Sequence, residues 1–381
     1  MVVNKKKHVL FLCKSLPHYR KPFFEQLKDK LDDSNVELSL VYGDGGDSDR
    51  KKQDLVHVSW GYFVPNKIIK IYGKELYWQP VTQYVKDKDL IVVEQASKLL
   101  INYYIQFLQS LGLIKLAFWG HGRNFQADKS HAIAESIKKT VSNHAHWWFV
   151  YNERSQKVIE KLGFDETRIT SFENSIDTRA LRVSLGKVSD EDRTVIRQKY
   201  NLKGQNICLF CGSLYEYKNL PFLFKSADLI RQQVKDFELL IVGSGPQRQY
   251  VEEMAGKHDW IRYLGPLFGR EKVEVFSISR LYLMPGLVGL GILDSFALEV
   301  PLVTTDIPNH SPEISYLDNG VNGLMTHNDV FQYSNAVVSL LRDRATYEKI
   351  KLSALRAGKD YSIENMVDNV YCGILSALER T

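Results

Sequence analysis

The stretch Met284–Asp306 reads MPGLVGLGILDSFALEVPLVTTD. It predicts a turn at Pro285 and Gly286, a loop spaced by Gly289 and Gly291, an apolar helix carrying one acid (Asp294), and a strand over Leu302–Thr305. Glycines ahead of a helix let backbone N–H groups approach an anion, and the helix N-terminus adds a favourable dipole. An acid in the first turns of that helix is placed to accept hydrogen bonds from hydroxyls beside the anion. Phosphate next to vicinal hydroxyls describes a nucleotide or a nucleotide sugar. The same spacing also fits an α/β crossover whose glycines let helix and sheet pack closely, and spacing alone leaves both readings open.

Outward from this stretch, strands alternate with helices. In the first half, strands are expected at 8–13, Val36–Tyr42, Leu90–Val93, Lys115–Trp119 and Trp147–Val150, with helices over Pro22–Leu31, Leu99–Leu111 and Glu153–Leu162. In the second half, strands are expected at Ile207–Cys211, Glu238–Val242, 261–267 and Tyr282–Met284, with a helix over Leu220–Ile230. Such alternation implies doubly wound parallel sheets, here in two Rossmann-like halves. With 381 residues, two domains are the natural expectation. The polar, charged run after Asn174-Ser175-Ile176-Asp177 reads as the boundary. The expected layout is a domain over 1–178, a domain over 179–362, and a closing amphipathic helix from Ile363, with Met366, Val370, Ile374 and Leu378 on one face.

Composition narrows the function classes. Residues 1–178 hold 26 Lys and Arg against 21 Asp and Glu, and the remainder is balanced at 24 against 24. A modest excess in one half suits an anionic small molecule, an acidic glycan carrier or a phospholipid surface, and argues against nucleic acid as a partner. For a membrane contact, the sequence offers Lys5, Lys6, Lys7, Lys14, Arg20 and Lys21 with Tyr19, Phe23 and Phe24; a solvated face over core aromatics is the competing reading. The longest apolar run, Leu281–Leu293, is interrupted by Pro285 and three glycines, so no spanning segment is expected. Lys5–Lys7 lead into VLFLC without a small-residue cleavage site, so no secretory leader is expected either. Cys208 and Cys211 point to opposite faces of a strand and cannot share a metal. With Cys13 and Cys372 they form no disulfide framework, which points to the cytoplasm. Asp47 and Asp49, in GDGGDSD, read as a solvated turn rather than a metal pair.

Several loops at strand ends carry groups suited to ligands. Lys14–Lys21, with His18 and Arg20, follows the first strand, and Gly120-His121-Gly122-Arg123 follows the fourth. Gly212-Ser213 with Lys218, Gly243-Ser244-Gly245-Pro246, and Gly265-Pro266-Leu267 follow strands of the second half.

These motifs together resemble the family 4 glycosyltransferases, most closely over residues 207–325. Gly212 to Lys218 is similar to the family's Gly-Arg-Leu…Lys loop, with Ser213 in place of the arginine. Gly243–Pro246 resembles its Gly-x-Gly-Pro turn, and Asn174–Asp177 its Asn-Gly-Val-Asp hinge. Met284–Asp306 resembles its donor segment, with Gly286 at the first acid and Asp294 at the second. The resemblance implies a GT-B fold, two Rossmann-like domains facing across a cleft, with the last helix crossing back to the first domain. It implies a retaining, metal-independent hexosyl transfer from a nucleotide diphosphate sugar to a glycan or lipid-linked acceptor in surface polysaccharide synthesis, with no cofactor. Lys218 and the backbone around Val288, Gly289 and Leu290 would meet the diphosphate. Asp294 would accept ribose hydroxyls, Leu267 would hold the base, Ser213 and Gly243 would line the donor site, and His121 would bind the transferred sugar. His18, Arg20 and Arg123 are the acceptor or phosphate candidates, Arg20 and Arg123 as replacements for the missing arginine. A non-catalytic donor-binding subunit and a nucleotide-sugar epimerase of the same fold are the alternatives.

Overall fold

The computed structural model describes residues 5–50, 54–71, 74–122 and 143–380. The chain divides into two compact units, one of Met1–Ile176 with Ile363–Thr381, the other of Asp177–Ser362.

In the first unit, β1 (Lys7–Cys13), β2 (Val36–Tyr42), β3 (Tyr62–Phe63), β6 (Leu90–Glu94), β7 (Leu116–Gly120), β8 (Trp147–Val150) and β9 (Ile169–Ser171) form one parallel sheet. Its order is β3-β2-β1-β6-β7-β8-β9. β4 (Lys67–Ile71) and β5 (Lys74–Trp78) make a separate antiparallel hairpin. Central strands such as LIVV and WWFV are buried on both faces, as helix-covered parallel strands must be. One face packs on the helix Lys21–Asp32 and the last helix, Ile363–Glu379, which contributes Met366, Val370 and Ile374 to the core around Phe149 and Phe172. The other face packs on the helices Leu100–Ser110 and Glu153–Lys161 through Ile101, Ile105 and Ile159.

The second unit holds β10 (Asn206–Cys211), β11 (Phe237–Val242), β12 (Ile261–Gly265), β13 (Leu281–Met284), β14 (Leu302–Thr305) and β15 (Leu324–Thr326), all parallel, in the order β12-β11-β10-β13-β14-β15. The polar run after Asp177 is not a bare linker. It forms helices Thr178–Leu185 and Asp190–Lys199, both in the second unit. Asp177 caps the first through the Ala180 N–H, and Ser189 with Asp192 forms a capping box on the second.

Two readings of the first unit meet the structure here, and for the aromatics the competing one, a packed core, holds. Phe23 and Phe24 are core residues, 0% and 3% exposed. The lysines around them are spent on neighbours: Lys6 on Glu37, Lys7 on Asp89, Lys14 on Asp49 and Lys21 on Glu25. The amino-terminal basic run therefore does not lie over exposed Phe23 and Phe24. The acidic loop after β2 is also structured rather than simply solvated. Asp44 accepts from Arg50 and the Asn66 N–H, and Asp49 binds Lys14 and the Gly46 N–H.

Candidate functional site

Strand order reverses direction between β10 and β13 in the second unit. A crevice opens at such a switch point, beyond the carboxyl ends of the strands, and that is where open α/β sheets take ligands. The loop after β10 runs from Gly212 to Lys218, and the loop after β13 from Pro285 to Leu290, one on each side of the crevice.

The second loop is held through the backbone groups of Pro285, Leu287 and Val288. The Pro285 carbonyl accepts from Thr305 Oγ1 at 2.6 Å. The Leu287 N–H donates to the Tyr217 carbonyl at 2.8 Å, and the Leu287 carbonyl accepts from Lys218 Nζ at 2.6 Å. The Val288 N–H donates to His310 Nδ1 at 3.0 Å, and the Val288 carbonyl accepts from the Ser311 N–H at 3.1 Å. His310 is buried, and because Nδ1 accepts, the ring is a neutral tautomer whose Nε2–H donates to the Thr305 carbonyl at 2.7 Å. Among the described residues the N–H groups of Gly289 and Leu290 donate to nothing. They lead into the helix Gly291–Ala297. The loop is thus rigid and offers two spare donors at one spot.

Gly286 stands where the resembled family has an acid, and packing explains the glycine. A Cβ there would lie 2.3 Å from the Lys218 carbonyl carbon and 2.4 Å from the Tyr217 oxygen. No side chain fits while the loops after β10 and β13 touch. Gly243 answers to the same constraint between neighbouring loops: at φ +142° its Cβ would meet the Gly212 oxygen at 1.9 Å. Gly289 is different, since its nearest neighbour would be Ser311 Oγ at 3.5 Å.

Lys218 is buried beneath this loop, and burial pushes its ammonium down to about 8. Asp294 lies in the first turn of its helix, and Lys272, from the helix Gly269–Ser277, binds it at 2.6 Å. Burial lowers the Lys272 pKa, but the Asp294 charge, Cys211 and the hydrogen bond to Asp294 together more than reverse this and leave it raised. Ser213 is exposed, and Leu267 is half-buried two residues after β12.

In the first unit the order reverses between β1 and β6. Arg20 lies beside that crevice but is buried, its guanidinium over the rings of Tyr19, Trp119 and Tyr151 and one nitrogen against Met366 Sδ at 3.8 Å. Its guanidinium packs on these rings rather than projecting into open solvent. His121 follows β7 and is half-buried, edge-on to Tyr151 at 5.6 Å. Arg20 and His121 therefore share Tyr151. His18 is exposed beside Tyr19. Glu94, at the end of β6, is half-buried, and burial raises its carboxyl against the lowering pull of Lys14 and Arg20. Arg123 lies outside the described residues.

Sequence reasoning missed His310, Lys272 and the Thr305 hydroxyl. The only signal for His310 was its place in NHSP, in the loop after a strand; Lys272 sits in a charged helix with nothing to single it out.

Residues 205–343 match the family model described as glycosyl transferases group 1. The chain is 26% identical over 179 residues to O-antigen chain mannosyltransferase B of Escherichia coli, covering 45% of this chain and 46% of that protein. It is 25% identical over 158 residues to the phosphatidyl-myo-inositol mannosyltransferase of Mycobacterium leprae, covering 40% and 42%. The matched stretch thus spans less than half the length of these curated relatives. Over 97% of this chain and 99% of the other, the fold superposes on Anabaena HepE crystallised with UDP-glucose, at a TM-score of 0.71 and 15% identity. That likeness places the fold in the GT-B class of two Rossmann-like halves.

Proposed function

We propose that this chain, a divergent member of the group 1 glycosyl transferases by its residues 205–343, moves a sugar from a nucleotide diphosphate sugar to a glycan or lipid-linked acceptor. One observation carries the reading. Inside the segment that matches the family, Lys218, the spare N–H groups of Gly289 and Leu290, and Asp294 gather around the switch-point crevice of the second unit. Anionic charge developing on a departing diphosphate is what such donors stabilise. Because HepE was crystallised with UDP-glucose, a uridine diphosphate sugar is the first donor to try.

In this reading the Gly289 and Leu290 N–H groups and Lys218 hold the diphosphate, and Asp294 accepts ribose hydroxyls. Leu267 lies against the base, with Ser213 and Gly243 lining the donor site. His121 binds the transferred sugar. The bond from the sugar's anomeric carbon to the diphosphate oxygen breaks as the acceptor oxygen bonds to the same face. The acceptor's proton passes to the leaving diphosphate, so configuration is retained and no resident metal is required. Surface polysaccharide synthesis in the cytoplasm is the setting this chemistry suits.

The test is calorimetry with UDP, GDP, ADP and their sugars, followed by turnover with a lipid or glycan acceptor in EDTA and proton NMR of the product's anomeric centre. Binding of one diphosphate, weakened at least tenfold in Lys218→Ala, is expected. No nucleotide binding would overturn the proposal. Binding without turnover on any acceptor would support a donor-binding subunit, and acceptor-independent conversion of the sugar an epimerase.

A further inference from the structure

Lys272 is the fourth residue of the helix Gly269–Ser277, and Asp294 the fourth of the helix Gly291–Ala297. The amino-terminal end of a helix favours acids and disfavours cations, so Asp294 is well placed there and Lys272 is not. The two nevertheless meet, Lys272 Nζ donating to Asp294 Oδ1 at 2.6 Å, and both side chains are mostly buried. A buried ion pair is weak evidence for stability, since well-packed apolar residues of similar volume hold a fold as well or better. The pair therefore calls for a use beyond packing.

Its unspent groups point to one. An ammonium has three donors, and among the described residues Asp294 is the one acceptor that Lys272 meets. A carboxylate accepts at both oxygens, and among the described residues nothing donates to Asp294 Oδ2. Spare donors and a spare acceptor thus stand side by side. Burial pushes the Cys211 thiol up to about 12, and the charges of Lys272, Asp294 and Lys218 all act on it, so the three gather at the carboxyl end of β10. Charge divides their work. Among the described residues no acid pairs with Lys218, whose Nζ meets the Leu287 carbonyl, so it keeps a full charge for phosphate. Lys272 is balanced by Asp294 and suits a neutral, hydroxylated group.

We infer that Lys272 is a specificity-determining residue of the donor site, which closes with Asp294 on the two vicinal hydroxyls of the nucleotide's ribose and selects ribonucleotides over deoxyribonucleotides. Each hydroxyl has one proton to donate and lone pairs that accept. Asp294 Oδ2 takes a hydroxyl proton, and a spare Lys272 N–H donates to a hydroxyl oxygen. The ammonium also holds the carboxylate ionised and in one place. A deoxy sugar then removes a partner from two charged, poorly hydrated groups at once, and a site built to hydrogen-bond a hydroxyl rejects the analogue that lacks it. The inference rests on the donor reading above, in which Asp294 meets ribose, and adds the cation that makes this contact selective.

Calorimetry of UDP, GDP and ADP against their 2′-deoxy and 3′-deoxy forms tests it. For the diphosphate that binds, the wild-type chain is expected to prefer the ribose form by about thirtyfold over either deoxy form. Lys272→Met is expected to weaken the ribose form about tenfold and to leave the deoxy forms nearly unchanged, so that the preference shrinks to about threefold. Circular dichroism checks that the variant folds. If it does not, Asp294→Leu/Lys272→Met, an apolar pair in the same space, takes its place and is expected to bind ribose and deoxy forms alike. Equal binding of ribose and deoxy forms by the wild type overturns the inference and leaves the donor reading standing. So does a loss in Lys272→Met that falls equally on all three forms, which would make Lys272 a support of the fold alone. No binding of any diphosphate overturns the donor reading and the inference with it.

Discussion

Lys272 Nζ lies 2.6 Å from Asp294 Oδ1, so the acid read from the sequence as a partner for ribose already carries a cation from another helix. The two side chains are only 19% and 13% exposed, so removing one leaves the other charged and poorly hydrated. Asp294→Ala is expected to cost about 1.5–3 kcal/mol in urea denaturation. The double variant Asp294→Leu/Lys272→Met should cost less than the sum of the singles. Strict additivity would show that the pair does not act as a unit.

Lys218 gives two pH effects of opposite sign. Burial lowers its pKa from 10.5 in the open chain to about 8 in the fold. Between those values the unfolded chain binds more protons, so stability rises with pH from about 8 towards 10.5. Diphosphate affinity needs the ammonium, so it should be flat below about pH 8 and fall above it by up to tenfold per pH unit. Calorimetry and denaturation on one pH series check both, and Lys218→Met should flatten both profiles.

Restoring the family's acid should fail. Gly286→Glu would force apart the backbones of Gly286 and Lys218, which now exclude even a methyl group. A loss of about 1–3 kcal/mol is expected, with weakened UDP binding because the Lys218 to Leu287 hydrogen bond moves. Gly289→Ala is the control: its methyl group has room, and it should leave stability nearly unchanged.

Arg20→Ala should act on stability and not on the donor. The guanidinium sits over three rings and against Met366, so its removal is expected to cost about 1–2 kcal/mol. UDP affinity should stay within twofold of wild type. A large loss of affinity without a loss of stability would return Arg20 to the role the sequence suggested.

The sheets were legible because parallel strands buried on both faces are continuous apolar runs, and HVLFLC, LIVV, NICLFC and FELLIV all read that way. The helices Thr178–Leu185 and Asp190–Lys199 were not, since each buries one narrow side and reads as polar overall. Their caps, Asp177 and the Ser189–Asp192 box, were the available signals. The site was legible where a backbone constraint shows as glycine, as at Gly243. At Gly286 the same residue type looked like a lost carboxylate, because a sequence does not show that the Lys218 backbone fills the space. His310 and Lys272 act through contacts 22 residues away in the chain, and spacing at that range carries no signal.

The helix Ile363–Glu379 belongs to the first unit, although all of the second unit precedes it in the chain. Synthesis therefore finishes the two units in the reverse of their starting order. When Ser362 leaves the ribosome, the second unit has every strand of its sheet, whereas the first still lacks Ile363, Met366, Val370 and Ile374 from its core. Until that last segment arrives, Phe24, Leu27, Leu31 and Phe149 have no cover on one side. The older half of the nascent protein is thus the one that waits, and the one a chaperone would have most reason to hold.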